Sequence, residues 1–261
     1  MSALLSLDMV QEQAKGLNIR GQAFIGGRYV DAASGRTFDC VSPIDGRLLT
    51  RVARCDEEDV DRAVRAARAA FEDGRWADLA PARRKRVLQR FADLIEQQQT
   101  ELALLETLDM GKPITDSSTI DIPGVVNCIR WYAEAIDKVY DEVAPTDHNI
   151  VAMLRREPVG VVGAIVPWNF PLLMAAWKIG PALATGNSLI IKPAEQSPLT
   201  AIRVAELAAE AGIPEGVLQV LPGMGPEAGK ALARHMDVDC IAFTGSGEVG
   251  KLLLRYAGQT N

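Results

Sequence analysis

From Val159 onward, short apolar runs alternate with longer segments in which apolar and polar residues are mixed. The apolar runs cover residues 161–166, 188–191, 217–221 and 239–243. Short runs that are apolar at both odd and even positions predict strands buried on both faces of a sheet. The other segments, residues 172–184, 198–211, 226–235 and 248–256, have the length and spacing of helices. This repeated alternation predicts an α/β fold with a doubly wound, mostly parallel sheet.

The chain before Val159 has shorter and more irregular apolar segments. Residues 24–30 are typical of a β-hairpin, and residues 42–47 of a turn that precedes another strand. A further strand is predicted over residues 149–156, ending before Pro158.

Helices are predicted between these strands, which gives the chain a helical N-terminal part. Asp56 is a predicted N-cap, a second helix begins near Pro81, and a third covers about residues 125–139. The basic run at residues 83–86 allows an anionic-ligand site, but a solvated helix face is the favoured interpretation.

Composition and charge exclude several classes of function. The 261-residue chain has a net charge of −6 and a pI near 5.1, which gives no support to nucleic-acid binding. No stretch approaches the run of about 20 apolar residues that a membrane span needs. Residues 1–8 lack a basic segment and predict a short amphipathic lead-in rather than a secretory signal.

The cysteines and histidines argue against a metal site. The 4 cysteines form no C-x-x-C pair, and only 2 histidines are present, so no metal is predicted. Scattered cysteines in a chain of this size are typical of reduced thiols, which predicts a cytoplasmic location.

Glycines follow the fourth predicted strand. Gly245, Gly247 and Gly250 form a G-x-G-x-x-G pattern between a strand and a helix, where a pyrophosphate can approach the backbone and the helix N-terminus. The alternative is an ordinary tight turn. The acidic residue that the standard pattern expects about 20 positions later is not present in this sequence.

The second and third predicted strands are also followed by candidate nucleotide contacts. Lys192 and Glu195 come after the second strand, where they could hold ribose hydroxyls or could belong to an ordinary surface loop. The glycines of residues 222–229 follow the third strand, and they could admit an adenine or ribose edge or form a flexible connection.

The first strand leads into an unusual turn, residues 167–171, with the sequence Pro-Trp-Asn-Phe-Pro. An amide held there, that of Asn169, is a good donor for a developing oxyanion. A rigid packing corner is the alternative. Lys178, in the following helix, could supply charge or relay protons, or could be a solvated lysine.

Together these motifs resemble the aldehyde dehydrogenase superfamily. The resemblance rests on the order and spacing of residues 108–113, 167–171, 180–187, 192–195 and 243–246, and it extends from about Ala23 onward. It implies the Rossmann-like, coenzyme-binding half of such an enzyme. The implied organisation is an N-terminal part at 1–143, a projecting oligomerisation region at 144–158 and an NAD-binding part at 159–261.

The resemblance also implies roles for individual residues. Asn169 would donate to the oxyanion of a thiohemiacetal. Lys192 and Glu195 would hold the adenosine ribose, and the carboxylate would favour NAD over NADP by repelling a 2′-phosphate. The coenzyme cleft would be lined by Ile165, Val166, Pro167 and Trp168. The adenine and pyrophosphate would be framed by Gly225, Gly229, Phe243, Gly245, Ser246 and Val249. In this family the ribose acid precedes the glycines, which accounts for the incomplete pattern.

The family's covalent chemistry needs a cysteine nucleophile and a glutamate base, and the resemblance implies that both lie beyond Asn261. The chain is therefore interpreted as a truncation without the catalytic domain and as inactive alone. Cys240, inside an apolar run, is predicted to be a buried packing thiol. The implied substrate is a small aldehyde, with amino aldehydes favoured, and the implied parent is a homodimer or homotetramer. A CoA-acylating relative and a non-catalytic nucleotide-binding module remain alternatives.

Overall fold

The computed structural model describes residues 12–260. The expectation for residues 1–8 lies outside this range. The strands are β1 Ala23–Ile25, β2 Arg28–Val30, β3 Thr37–Val41, β4 Leu48–Ala53, β5 Glu142–Ala144, β6 Ala152–Leu154, β7 Val161–Ile165, β8 Ser188–Lys192, β9 Leu218–Val220 and β10 Cys240–Phe243. The helices are α1 Glu57–Glu72, α2 Pro81–Gln97, α3 Gln99–Met110, α4 Ile114–Asp116, α5 Ile122–Ala135, α6 Pro171–Ala184, α7 Leu199–Ala211, α8 Lys230–Arg234 and α9 Gly247–Ala257, with π-helical turns at Ser117–Asp121 and Gly225–Gly229.

The central sheet has the strand order β10-β7-β8-β9-β1-β2. Strands β10, β7, β8 and β9 are parallel to one another, while β1 and β2 add an antiparallel hairpin at one edge. The four strands predicted from apolar runs are therefore the parallel part of the sheet. This confirms the α/β fold with a mostly parallel sheet.

Helices cover both faces of this sheet, as a doubly wound fold requires. Alternate residues of β8 point to opposite faces. Ile190 packs in a cluster with Val64 and Ala67 of α1, whereas Leu189 and Ile191 pack in a larger cluster with α2, α3, α5, α6 and α7. The continuous apolar run in β8 is explained by burial on both sides.

The N-terminal helices confirm some predicted boundaries and correct others. Asp56 caps α1 in a reciprocal capping box with Asp59, and α2 begins at Pro81 as predicted. The helix expected over 125–139 begins earlier, at Ile122, and ends at Ala135, where the chain turns and the Lys138 N–H donates to the Ala135 carbonyl. Helix α3 was not predicted. Its apolar side chains are distributed all around the helix rather than along one stripe, because most of it is buried.

The strand expected over 149–156 is shorter than predicted. Only Ala152–Leu154 is a strand, and it pairs with β5 in a two-stranded ribbon outside the central sheet. The side chains of Val151, Met153 and Leu154 are exposed on this ribbon. A two-stranded ribbon with no layer packed on it cannot bury its apolar residues.

Two predictions about individual side chains were wrong. Cys240 is exposed rather than buried, because β10 lies at the edge of the sheet in the described part of the chain. Arg84 of the basic run is half-buried, and its guanidinium donates to the carbonyls of Ala184, Ala77 and Leu79. Arg84 therefore ties α2 to the end of α6 instead of lying on a solvated face.

No helix within residues 12–260 is long and apolar enough to cross a membrane. Over the same residues, no group of three or more histidine, cysteine or acidic side chains is placed to hold a metal ion.

Candidate functional site

Three of the predicted cofactor contacts lie in one row at the carboxyl end of the parallel sheet. Ile165 of β7 is the register partner of both Lys192 in β8 and Phe243 in β10. Backbone hydrogen bonds continue this row, from the Val166 N–H to the Lys192 carbonyl and from the Thr244 N–H to the Ile165 carbonyl. In open α/β sheets this edge is where ligands bind.

Lys192 and Glu195 form an ion pair at this edge. The Lys192 ammonium lies 2.9 Å from a Glu195 carboxylate oxygen, with side-chain exposures of 3% for the lysine and 28% for the glutamate. Burial lowers the pKa of Lys192, and the Glu195 carboxylate opposes that change. The partly exposed carboxylate retains acceptor capacity for hydroxyl groups.

The predicted glycines of the third loop lie in different environments. A Cβ on Gly229 would lie 3.9 Å from Lys192 Cδ and 4.0 Å from Ile165 Cδ1, so Gly229 lies against the strand ends. Gly225 begins the π-helical turn and is half-buried. Glu227 anchors this turn to the end of β4, because it accepts a hydrogen bond of 3.0 Å from Arg54 Nε.

The loop after β10 presents the N-terminus of α9. Ser246 caps this helix, since its hydroxyl accepts from the Val249 N–H at 3.3 Å. Gly245 leaves room for the Phe243 ring, because a Cβ there would lie 2.5 Å from Cζ of that ring and would displace it. Gly245, Ser246 and Val249 are exposed, so the helix terminus is open to an anion such as a pyrophosphate.

The Pro-Trp-Asn-Phe-Pro turn projects from the end of β7. Trp168, Asn169 and Phe170 are exposed, and Val166 and Pro167 beneath them are buried and half-buried. The Trp168 carbonyl accepts a hydrogen bond of 3.1 Å from the Ser197 hydroxyl. Lys178 follows two turns into α6 and is half-buried.

Sequence reasoning assigned no role to Asp109, although its motif was recognised. Its carboxylate accepts from the Leu199 N–H at 2.8 Å and from the Cys40 thiol at 3.0 Å, joining α3, β3 and the start of α7. Burial raises the pKa of Asp109 to about 7. Leu105 and Asp109 are buried one turn apart on α3, and because this helix was not predicted, no signal for the role of Asp109 was available from the sequence.

Three of the predicted cofactor residues line two separate clefts. Trp168 and Glu195 line a cleft of about 600 Å³ with Met224 and residues of β3 and α3. Phe243 lies in another cleft, of about 410 Å³, between β10 and α9. The row at the sheet edge connects the two, since Phe243 and Lys192 flank Ile165.

Residues 29–261 match the aldehyde dehydrogenase family. The NADP/NAD-dependent aldehyde dehydrogenase PuuC of Escherichia coli (strain K12) is 58% identical over 251 residues, covering 96% of this chain and 51% of the relative. The aminoacetaldehyde dehydrogenase of Pseudomonas aeruginosa is 53% identical over 261 residues, covering 100% of this chain and 53% of the relative. The chain thus spans about half the length of these curated relatives.

Solved structures show the same similarity. The gamma-glutamyl-gamma-aminobutyraldehyde dehydrogenase of Burkholderia cenocepacia J2315 superposes with a TM-score of 0.97 at 63% identity, over 98% of this chain and 52% of that one. An indole-3-acetaldehyde dehydrogenase of P. syringae, in complex with NAD+, has a TM-score of 0.98 at 61% identity, over 99% of this chain and 52% of that one.

Proposed function

Because this chain belongs to the aldehyde dehydrogenase family, we propose that it forms the coenzyme-binding half of an enzyme that oxidises an aldehyde to a carboxylic acid with NAD. The observation that carries this proposal is the row of Ile165, Lys192 and Phe243 at the carboxyl end of the sheet, with Glu195 paired to Lys192. NAD, when bound, accepts the hydride from the aldehyde carbon.

The residues of the site fit a dinucleotide. Lys192 donates and Glu195 accepts, which suits a ribose with adjacent hydroxyls. The exposed N-terminus of α9 beyond Ser246 suits the pyrophosphate. Gly225, Gly229, Phe243, Gly245 and Val249 complete this part of the proposed site. The Glu195 carboxylate would repel a 2′-phosphate, so the proposed coenzyme is NAD rather than NADP.

The Asn169 amide is proposed to stabilise the oxyanion that forms when a thiolate adds to the aldehyde. Its exposure at the tip of the turn leaves the amide accessible to a substrate. Ile165, Val166, Pro167 and Trp168 would form the adjoining wall of the coenzyme cleft. Lys178 would carry or relay a proton from α6, and its half-buried position also permits a merely solvated role.

The thiolate itself is proposed to come from sequence outside these 261 residues. Burial raises the pKa of Cys40, Cys55 and Cys128 above the ordinary thiol value, which disfavours the nucleophilic form. Cys240 begins β10, at the opposite end of that strand from Phe243. Cys40 lines the same cleft as Trp168, but it is buried and its thiol donates to the Asp109 carboxylate. The glutamate that activates water is likewise proposed to lie elsewhere.

The proposed substrate class is the amino aldehydes. One curated relative and one structural relative support this choice, because the first is named for aminoacetaldehyde and the second for gamma-glutamyl-gamma-aminobutyraldehyde. Indoleacetaldehyde is the competing candidate, favoured by the 61% identity to the P. syringae enzyme. The exposed apolar ribbon of β5 and β6 supports the proposal that residues 144–158 mediate a dimer or tetramer.

An assay of the purified chain with NAD and each aldehyde tests whether the chain binds the coenzyme without catalysing the oxidation. The expected result is NAD binding by equilibrium dialysis with no aldehyde-dependent NADH. NADH formation that survives substitution of all 4 cysteines by serine would contradict thiol chemistry. NADH formation that is lost in Cys240→Ser alone would instead place the nucleophile inside this chain and overturn the proposal that it lies elsewhere.

A further inference from the structure

Asn169 lies between two residues that are each held by a distant side chain. On one side, the Trp168 carbonyl accepts from the Ser197 hydroxyl at 3.1 Å. On the other side, the ring of Phe170 lies beneath the ammonium of Lys112, with 3.8 Å between Nζ and the ring centroid. The prolines at 167 and 171 restrict φ at both ends of the turn. Asn169 is therefore at the centre of a short segment anchored at two points.

The Lys112 ammonium is itself held by a buried carboxylate. Lys112 and Asp121 form an ion pair in which the side chains are 11% and 1% exposed. With so little water present, the cation has two attractive partners, the Asp121 carboxylate and the Phe170 ring. A cation–π contact is stronger when the cation is desolvated. The pair therefore restrains the ring more strongly than a surface lysine would.

The backbone before Lys112 is constrained by the end of helix α3. Helix α3 ends at Gly111, which adopts a left-handed conformation with φ of 81°. A Cβ at that glycine would lie 2.9 Å from Cγ of Pro43, so the backbone passes close to the β3–β4 turn. Pro113 follows immediately. Asp121 is the last residue of a π-helical turn, just before α5. Neither partner lies in the sheet that carries the coenzyme contacts.

The backbone conformation of Phe170 couples the position of its ring to the orientation of Asn169. Phe170 is the N-cap of α6, with φ of −140° and ψ of 68°, and its side chain makes no cap hydrogen bond. A residue in this conformation sets the direction in which the preceding peptide leaves the helix. Movement of the Phe170 ring and its Cα would reorient the Asn169 amide next to it.

We propose that Lys112 is a positioning residue, which orients the Asn169 amide by holding the Phe170 ring beneath its ammonium while the Asp121 carboxylate holds that ammonium in place. The value of this orientation for catalysis rests on the proposed function of Asn169. This clamp of Asp121, Lys112 and Phe170 is itself a property of the described structure. Among the described residues, the ammonium of Lys112 interacts with Asp121 and Phe170, neither of which is a proposed coenzyme residue, so its effect is expected on the oxyanion side of the site.

NMR of the side-chain amide of Asn169 in the 261-residue chain tests the clamp directly. In Lys112→Met, the Asn169 amide resonances are expected to shift and broaden, because the ring is released. Lys112→Arg keeps a cation that can lie over the ring and is expected to retain the resonances of the unmodified chain. Lys85→Met is the matched control, because Lys85 is also a paired lysine, with Glu134 at 2.7 Å and Asp137 at 2.9 Å, but lies on α2 away from the turn.

A second variant keeps the test decisive if Lys112→Met does not fold. Phe170→Leu is expected to leave the Lys112–Asp121 pair intact, and the exposed ring can be removed without opening the core. It is expected to change the Asn169 resonances in the same way as Lys112→Met. Unchanged Asn169 resonances in either folded variant would overturn the proposal, and so would an equal change in Lys85→Met.

NAD titration of the same samples separates this inference from the proposed function. Lys112→Met is expected to bind NAD within about twofold of the unmodified chain, a difference below about 0.5 kcal/mol. A loss of NAD affinity of more than tenfold would contradict the proposal that Lys112 acts only on the oxyanion side of the site. If the unmodified chain binds no NAD, the proposed function fails, while the Asn169 resonances still decide the positioning role.

Discussion

The Lys192 ammonium lies 2.9 Å from the Glu195 carboxylate, and the lysine is almost fully buried while the glutamate reaches solvent. Removing one partner of a buried ion pair strongly destabilises a protein, because the other charge is left unpaired. Replacing both partners by apolar groups is tolerated. The pair therefore has a structural role at the sheet edge as well as its proposed role in binding a ribose.

We expect Glu195→Gln to lower the free energy of unfolding at pH 7 by about 1–2 kcal/mol, after allowance for the solvent that reaches the carboxylate. The buried Lys192 would then lack its counterion. The double variant Lys192→Met with Glu195→Gln should recover most of this loss, because it leaves no unpaired charge. Urea unfolding of the single and double variants provides the double-mutant cycle. A coupling energy near zero would show that the two charges do not interact.

The buried carboxyl group of Glu106 predicts that the free energy of unfolding falls as pH rises. It is fully buried, and neither carboxyl oxygen has a hydrogen-bond partner within the described residues. Burial raises its pKa from 4.5 to about 7, and the Asp121 carboxylate adds to the effect. The nearby Thr200 hydroxyl and Leu172 N–H lower the pKa in part, although neither meets the geometry of a hydrogen bond to Glu106. Since the folded pKa is raised, the contribution of Glu106 to stability is complete below 4.5 and is lost as pH rises toward 7.

Glu106→Gln is accordingly expected to stabilise the chain at pH 8 and to have little effect at pH 5. A pKa difference of this size corresponds to about 3 kcal/mol at most. Thermal unfolding across that range measures the effect, with Glu96→Gln, an exposed glutamate on α2, as the control. Equal effects of Glu106→Gln at both pH values would mean that Glu106 is not protonated in the folded chain.

Gly245 should be intolerant of a side chain. A Cβ there would lie 2.5 Å from the Phe243 ring, so Gly245→Ala must displace the ring or the loop that presents the N-terminus of α9. We expect NAD affinity to fall about tenfold, equivalent to about 1.4 kcal/mol. Gly258→Ala, at the other end of α9, would place its Cβ no closer than 3.6 Å to a neighbouring atom and serves as the control. Equal affinities for the two variants would remove the Gly245 loop from the proposed site.

The thiols should differ in their reactivity toward iodoacetamide. Cys240 is exposed and is expected to be alkylated first. Burial raises the pKa of Cys128 to about 11 and also raises that of Cys40 and Cys55, which should react last because they are buried as well. Peptide mapping after timed alkylation at pH 8 gives the order. Modification of Cys55 as fast as Cys240 would contradict the described packing of α1 on the sheet.

Strands β7, β8 and β9 could be predicted because they are buried on both faces, which leaves continuous apolar runs between the helical segments. The same pattern misled at Cys240, since an apolar run does not reveal which strand lies at an edge. Helix α3 escaped prediction because most of it is buried, so that its apolar residues do not form a single stripe opposite a polar face. The Lys192–Glu195 pair was accessible from the sequence, as both residues follow one strand. The contact of Lys112 with Phe170 was not, because it joins residues 58 positions apart through tertiary packing.

Calorimetric titration of the purified chain with NAD, and with NADP for comparison, tests the central claim most directly. The account predicts saturable binding that favours NAD, is abolished in Glu195→Ala and is unchanged in Glu134→Ala, an exposed carboxylate of α5 that also pairs with a lysine. Absence of heat from either nucleotide on a folded sample, or equal binding of NAD and NADP that survives Glu195→Ala, would contradict the assignment of the coenzyme site.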